Sequence, residues 1–303
     1  MGLLSGPLSI TRYNVTSQPE VPDFEAARFQ AIQPGSEVRE TSGFVPFEPP
    51  GPYEVGTRRY AFRVRIDKLR PDPTAVRERV QQLIRSELEA TGAAFVGSKK
   101  KKQLRELAME ELILEAAPRS KIIEGCLDGD LLYVASTAKS FLGVVVQLLR
   151  RIEVVVEPKT PWLDRHEEDL ESEIVTTREP GESVWGCRFL RALVGDREVL
   201  FEPEAGNVRL KTRDARVSLA GAVLKDVHRY IDQGAELLAA KLITGETRFS
   251  FEALSYRLNG LRLETGRHEH WIELLDERLS KIAEVFELLD GKYAELSKRL
   301  AAA

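Results

Sequence analysis

The chain has 303 residues, 43% of them hydrophobic and 30% charged, with a formal net charge of −4. That length allows two parts that each bury a core, and the acidic balance excludes a generic polycation. No apolar run reaches the ~20 residues of a membrane helix, and the two cysteines, Cys126 and Cys187, lie in apolar, strand-like contexts that read as reduced, buried side chains.

The start, MGLLSGPLSITRY, lacks the basic and apolar segments of a signal peptide, so a cytoplasmic protein is expected. Residues 8–15 alternate as a first strand, and 24–31 suggest a loop and a short helix. The stretch IQPGSEVRETSGFVPFEPPGPYEVG reads as a structured loop, because Phe44, Val45 and Phe47 need burial. Residues 60–66 alternate strictly, with Tyr60, Phe62, Val64 and Ile66 on a core face and Arg63 and Arg65 on a cationic one.

Pro71 and Pro73 suit a helix entry, and Val76, Val80, Leu83, Ile84 and Leu88 form the stripe of a helical run. Thr91, Gly92 and Gly97 break it. Ser98 then offers an N-cap oxygen to a second run with Leu104, Leu107, Ala108, Leu112 and Leu114, which Pro118 stops. The result is a projecting helical hairpin over about 72–117 with Lys99, Lys100, Lys101 and Lys102 at its bend. Four lysines in a first helical turn oppose the helix dipole and repel one another, so local stability does not account for them. They are either a solvated patch or the seat of an anion, foremost a phosphate backbone. Residues 92–99, GAAFVGSK, fail as a P-loop because Ser precedes Lys and a helix leads in.

Residues 122–127 and 131–135 form a β-hairpin through Asp128, Gly129 and Asp130. Ser136 or Thr137 can cap a helix over 138–150, 152–156 gives another strand, and Pro158 and Pro161 end the first half. Charge is segregated. Residues 58–121 hold sixteen Lys or Arg against nine Asp or Glu, whereas 164–182 hold eight acidic residues against Arg165 and Arg178. The acidic stretch reads as a solvated linker or exposed helix, with Trp162 on a domain edge. Short strands of a second sheet follow at 183–190, 198–202, 208–211 and 216–219, with Arg209, Lys211 and Arg213 on one face. A long helix is expected over 223–242, with Gly234 as a weak point. Strands at 248–254 and 256–258 then lead through an Asn259-Gly260 turn to 261–263. The last helix, 268–300, carries a near-heptad seam from Trp271 to Leu300, which packs on the second domain or also meets a partner subunit.

Catalytic chemistry is not indicated. His268 and His270 sit at i and i+2, pointing apart; His166 lies among acids and His228 on a polar helix side, so no metal site is expected. There is no serine elbow, no cysteine with a base and no dinucleotide turn. No enzyme activity and no cofactor are expected.

Several stretches taken together resemble a known family. PGSE followed by SGFVPF, KKKKQLRELAMEELILEAAPRS, IIEGCLDGDLLYVASTAKS and EAGNVRLKTRD resemble, in order, stretches of the bacterial RdgC recombination-associated proteins. The resemblance implies a ring-shaped homodimer whose cationic hole encircles duplex DNA without strong sequence preference and restrains RecA-promoted strand exchange. Lysines and arginines lining that hole would act by phosphate contact. By position, Lys211 and Arg213 match the family's basic strand end, and Lys241 is a looser match on the following helix. The hairpin would be the gate between subunits. After the Pro-Arg step the family places an aromatic residue, whereas Pro118-Arg119 is followed here by Ser120, Lys121, Ile122 and Ile123, so Arg119, Ile122 and Ile123 are the expected dimer contact.

The expected architecture is therefore α+β: two small mixed or antiparallel sheet domains with packed helices, a projecting helical hairpin and a long C-terminal helix. The first domain spans 1–160 and carries the hairpin, 161–182 is an acidic linker, and 183–303 is the second domain. The expected activity is sequence-independent DNA binding through Arg63, Arg65, Lys99 to Lys102, Lys211, Arg213 and Lys241, on duplex DNA with single strands as the second candidate. Self-association as a homodimer, antagonism of RecA, a nucleoid location and no membrane complete that reading. The alternative is a protein-interaction or structural module that binds no nucleic acid.

Overall fold

The computed structural model describes residues 2–33, 36–113, 116–164, 171–204 and 206–300, with side chains as far as 297. Leu114, Arg165, His166, the acids at 167–169 and the Leu300 side chain thus lie outside the described residues, as do Pro34 and Gly35 of the PGSE stretch and Ala205. The chain is α+β. It runs β1 (Leu8–Ser17), a 3-10 turn (Phe24–Ala27), β2 (Glu40–Val45), β3 (Glu54–Gly56), β4 (Arg59–Leu69), α1 (Pro73–Thr91), α2 (Ser98–Ile113), β5 (Pro118–Asp128), β6 (Leu131–Val134), α3 (Lys139–Arg151) and β7 (Val155–Pro158). It continues with α4 (Val184–Ala192), β8 (Val199–Phe201), β9 (Asn207–Lys211), β10 (Arg216–Ala220), α5 (Leu224–Asp232), β11 (Glu236–Thr244), β12 (Thr247–Glu252), β13 (Arg257–Arg262) and the long helix α6 (Trp271–Leu300).

The strands follow the hydrogen-bonded order β10-β9-β11-β12-β13-β1-β6-β5-β4-β2, with β8 on β11, β7 on β1 and β3 on β4. Two separate sheets were expected, yet the N-terminal strand β1 pairs antiparallel with β13 near the other end of the chain, Leu8 opposite Leu261 and Ile10 opposite Leu258. Alternation identifies a strand but not its partner. Two compact units result: Met1–Ala26 with Pro46–Arg63 and Ile123–Ala303, and Ala27–Val45 with Val64–Ile122. Residues of the expected first domain fall in both.

In the larger unit the seam of α6 is spent on the unit's own core: Leu275, Leu279, Ile282, Phe286, Leu289 and Tyr293 are all buried. Trp162 is not at an edge. It is 2% exposed, donates Nε1–H to the Gly181 carbonyl at 3.1 Å and meets Tyr256 and Tyr293 edge-on at 5.4 and 5.8 Å, the geometry favoured by ring quadrupoles. The acidic stretch is not a free linker either. Its described residues from 171 to 182 form neither helix nor strand, Val175 is buried, and Glu179 pairs with Lys139 at 2.9 Å and with Arg257 at 3.4 Å.

Several expected elements change type, place or extent. Residues 183–190 form a helix, α4, because Ser183 caps it by accepting from the Trp185 N–H at 3.2 Å; Cys187 is therefore helical, and burial pushes its thiol pKa up, as it does for Cys126 on β5. The helix over 223–242 stops at Asp232, where Gly234 takes φ +83°, the left-handed conformation that ends helices. The following LLAAKLI run becomes β11, an inner strand with β9 and β12 as hydrogen-bonded neighbours, whose Leu237, Ala240 and Leu242 go into the core. Asn259-Gly260 makes no turn: Arg248 faces Arg262 while Ser250 faces Asn259, so β13 carries one extra residue, a bulge that uses Gly260 at φ +63°. The strand expected at 152–156 is β7, at Val155–Pro158. Ser98 is the first residue of α2, the cap position belonging to Gly97, whose carbonyl accepts from the Lys101 N–H at 2.9 Å. The 24–31 helix is a single 3-10 turn.

Helix α4 depends on close approach. A Cβ on Gly186 would overlap the Ala253 carbonyl oxygen, with Trp162 close behind, so Gly186→Ala is expected to lower stability by about 1–3 kcal/mol. Thermal unfolding of the variant checks this.

The entry to α6 is held by one carboxylate. Glu277 accepts from His268 Nε2 at 2.6 Å and from the Gly266 N–H at 3.0 Å, and pairs with Lys281 at 2.9 Å. The His268 and Lys281 contacts hold its pKa down at about 2, below its ordinary 4.5. A depressed carboxyl pKa stabilises the folded state above the unfolded value, and that contribution is lost as pH falls from about 4.5 towards 2. Glu277→Gln is expected to remove this pH response and to raise amide exchange at Gly266, read by hydrogen exchange across that window.

In the smaller unit, Asp72 caps α1 by accepting from the Thr74 and Ala75 N–H groups at 3.1 Å, and Gly92 ends the helix at φ +65°. Val76, Val96, Leu104 and Ala108 are buried in this hairpin. Leu83, Ile84 and Leu88 are only half-covered.

Candidate nucleic-acid interface

Strands β9 to β13 of the larger unit alternate between a core face and an open face. Val208 and Leu210 of β9, Leu237 and Leu242 of β11, and Phe249 and Phe251 of β12 go into the core. The intervening positions carry Arg209, Lys211, Arg216, Lys241, Arg248 and Arg262, each exposed or half-exposed. Register aligns them on one face: Arg209 stands opposite Ser218, Lys241 opposite Ser250, and Ser250 opposite Asn259. Between them lies a polar groove of ≈ 530 Å³ lined by Arg209, Lys241, Arg248 and Arg262 together with Glu252 and Asn259.

Part of this charge is neutralised within the sheet. Arg209 pairs with Glu252 at 2.9 Å and Lys241 with Glu202 at 3.7 Å. Asn259 is fixed at the groove by donating to Glu252 at 3.0 Å and accepting from the Thr137 hydroxyl at 2.6 Å. The rest of the charge is not balanced. Lys211 faces Arg216 across β9 and β10, and Arg248 faces Arg262 across β12 and β13. Directly opposed like charges destabilise a strand pair. None of these four cations makes an ion pair among the described residues. Glu236 stands on the other side of Lys211 without bonding it.

The residues singled out in the sequence divide. Lys211 and Lys241 lie on this face, Lys241 on strand β11 and not on a helix. Arg213 sits just past β9 in an exposed ion pair with Glu173 at 2.7 Å. Arg63 and Arg65 are committed internally. Arg63 bonds Glu124 and the Phe47 carbonyl, at 3.1 and 2.9 Å, over the Phe47 ring. Arg65 grips Asp67 with two bonds of 2.8 Å over the Phe29 ring, and those bonds hold the Asp67 carboxyl below its usual pKa. Neither guanidinium is a free phosphate ligand. At the hairpin bend Lys100 pairs with Glu87 at 3.0 Å and Lys102 lies 3.9 Å from Glu106, while Lys99 and Lys101 are exposed without an ion pair among the described residues. Of the expected dimer contacts, Arg119 and Ile122 are exposed, but Ile123 is 3% exposed. Its side chain belongs to the core of its own chain.

Arg216, Arg248 and Arg262 escaped the sequence reading. The signal was present in RVSLA and TRFSFE, where charged and apolar residues alternate, but Arg262 is brought into line only by the Gly260 bulge. Among the described residues no group of His, Cys, Asp and Glu is placed to hold a metal ion, and no helix is long and apolar enough to cross a membrane. Compared with known proteins, the chain matches no family model and no curated protein.

Proposed function

We propose that the protein binds nucleic acid through its phosphates, without reading sequence, using the open face of β9 to β13. The observation that carries this reading is the pair of like-charged cross-strand contacts, Lys211 with Arg216 and Arg248 with Arg262. Each costs stability unless an anion lies between the two cations. A phosphate backbone supplies repeated anions along a line, and each neutralised phosphate releases counterions. Ser218, Ser250 and Asn259 add neutral hydrogen-bonding groups between the cations, suited to phosphate and sugar oxygens. The face is a sheet, without a helix to enter a major groove, which favours backbone contact over base reading. Lys99 and Lys101 at the hairpin bend form a second cationic patch.

The ring-shaped homodimer around duplex DNA, the nucleoid location and the restraint of RecA rest on the ordered resemblance to RdgC proteins. On this reading the protein is a binding protein and not an enzyme. The test is binding to two duplexes of equal length and unrelated sequence, followed by a high-salt wash of complexes on linear and on closed circular DNA, with molar mass measured alongside. Equal affinity for the two duplexes, with a dimer retained only on the closed circle, supports an encircling ring. Equal affinity without that retention supports phosphate binding alone. Failure to bind either duplex at low salt overturns the reading.

A further inference from the structure

The helical hairpin carries a second surface of different chemistry. Val76 and Val80 of α1 and Met109 and Ile113 of α2 form two rows at i, i+4 spacing, and with Pro71 and Pro73 they floor a groove of ≈ 780 Å³. Met109 is 43% exposed. Around this apolar floor stand Arg70, Arg77 and Arg105, with Gln81 and without a carboxylate among the described lining residues. Elsewhere on the same hairpin some cations are paired, Arg79 with Glu111 at 2.7 Å and Lys100 with Glu87 at 3.0 Å. Arg70, Arg77 and Arg105 make no ion pair among the described residues.

We infer that this groove docks an acidic, amphipathic peptide segment of a partner protein. A phosphate backbone offers nothing apolar to cover Val80 and Met109. A fatty acid has one anionic group, whereas the guanidiniums here are spread from the end of β4 through the first turns of α1 to the middle of α2. Along α1 the lining runs from Pro73 to Gln81, about 12 Å at 1.5 Å per residue, which is about two turns of a docked helix. A segment presenting apolar side chains at i and i+4 to the floor and carboxylates on its flanks matches both features, the mode in which an amphipathic helix enters a groove. Charge-assisted hydrogen bonds from the arginines would fix its register. This inference stands apart from nucleic-acid binding, which uses other residues.

The probe is a fluorescein-labelled peptide of about 12 residues with Leu at i and i+4 and Glu on the flanks, read by anisotropy. Two controls accompany it, one with Lys in place of Glu and one with the same composition scrambled. The acidic peptide is expected to bind at least about tenfold more tightly than either control. Arg77→Ser with Arg105→Ser is expected to weaken it by about tenfold or more, and Met109→Gln by several-fold, with duplex DNA affinity and circular dichroism unchanged. Several outcomes overturn the inference: equal binding of the scrambled peptide, full affinity in the arginine double variant, displacement of the peptide by oleate or by duplex DNA at matched charge, or a molar mass that falls on Met109→Gln, which would give the groove to a second copy of this chain.

Discussion

Changing Arg248 and Arg262 together to serine is expected to weaken duplex DNA binding by about tenfold or more near 0.1 M salt, and to flatten the slope of log affinity against log salt by about 1.8. The two guanidiniums lie directly opposite each other on β12 and β13 and line one groove, so both would meet the same stretch of backbone. The fold should not suffer. Removing a directly opposed like pair relieves repulsion, so stability is expected to stay level or to rise by about 0.2–1 kcal/mol. That combination separates function from structure, because a purely structural pair would lower stability and leave binding alone. Titration by anisotropy across a salt series, with thermal unfolding beside it, reads both quantities. Arg63 and Arg65 give the contrast: their guanidiniums are held by Glu124 and Asp67, so changing either is expected to lower stability and to leave the salt slope where it was.

The largest loss of stability is expected from Asp290→Ala, at about 3–5 kcal/mol. Arg12 is 4% exposed on β1, and its guanidinium reaches Asp290 on α6 with bonds of 2.8 and 3.0 Å while lying 4.4 Å over the Phe286 ring. Tyr256 donates its hydroxyl proton to the same carboxylate at 2.6 Å. Removing Asp290 strands a buried cation and a buried phenol together, the costly half of a buried pair. Arg12→Met combined with Asp290→Leu removes both charges and is expected to recover a large part of the loss. The exposed pair Arg58–Asp130, at 2.9 Å, is expected to contribute at most about 1 kcal/mol. Chemical denaturation of the three variants orders these effects.

Much of the chain was legible where local signals suffice. Pro73 and the Val76, Val80 and Leu83 spacing mark α1, Asp128-Gly129-Asp130 marks the β5–β6 hairpin with Asp128 opposite Leu131, and the seam from Leu275 to Tyr293 marks α6. The misreadings have physical causes. Apolar stretches such as 183–190 and 236–244 suit a buried helix and a buried strand equally, so the cap at Ser183 and the left-handed Gly234 decide between them. Asn259-Gly260 announces a positive φ but not whether a turn or a bulge will use it. Long-range register, including β1 against β13, leaves no trace in composition.

The candidate site was half legible for the same reason. Basic alternation showed at Arg209 and Lys211, but which strands would lie beside them depends on pairing that only the fold reveals. Adjacency in sequence, conversely, overstated Arg63 and Arg65, whose acidic partners Glu124 and Asp67 were as visible as the arginines but unassigned. The four lysines at 99–102 lie at the hairpin bend, in the first turns of α2. Two of them nonetheless have acidic neighbours, Lys100 in Glu87 across the hairpin on α1 and Lys102 in Glu106 one helical turn on.

The most direct measurement is equilibrium binding of the intact protein to a short duplex between about 50 and 200 mM salt. If the open face of β9 to β13 engages phosphates through Arg209, Lys211, Arg216, Lys241, Arg248 and Arg262, affinity should fall by about 10³-fold or more over that range, with a log–log slope near −5. A flat salt response, or no binding at the lowest salt, would contradict the account and return these cations to ordinary surface charge.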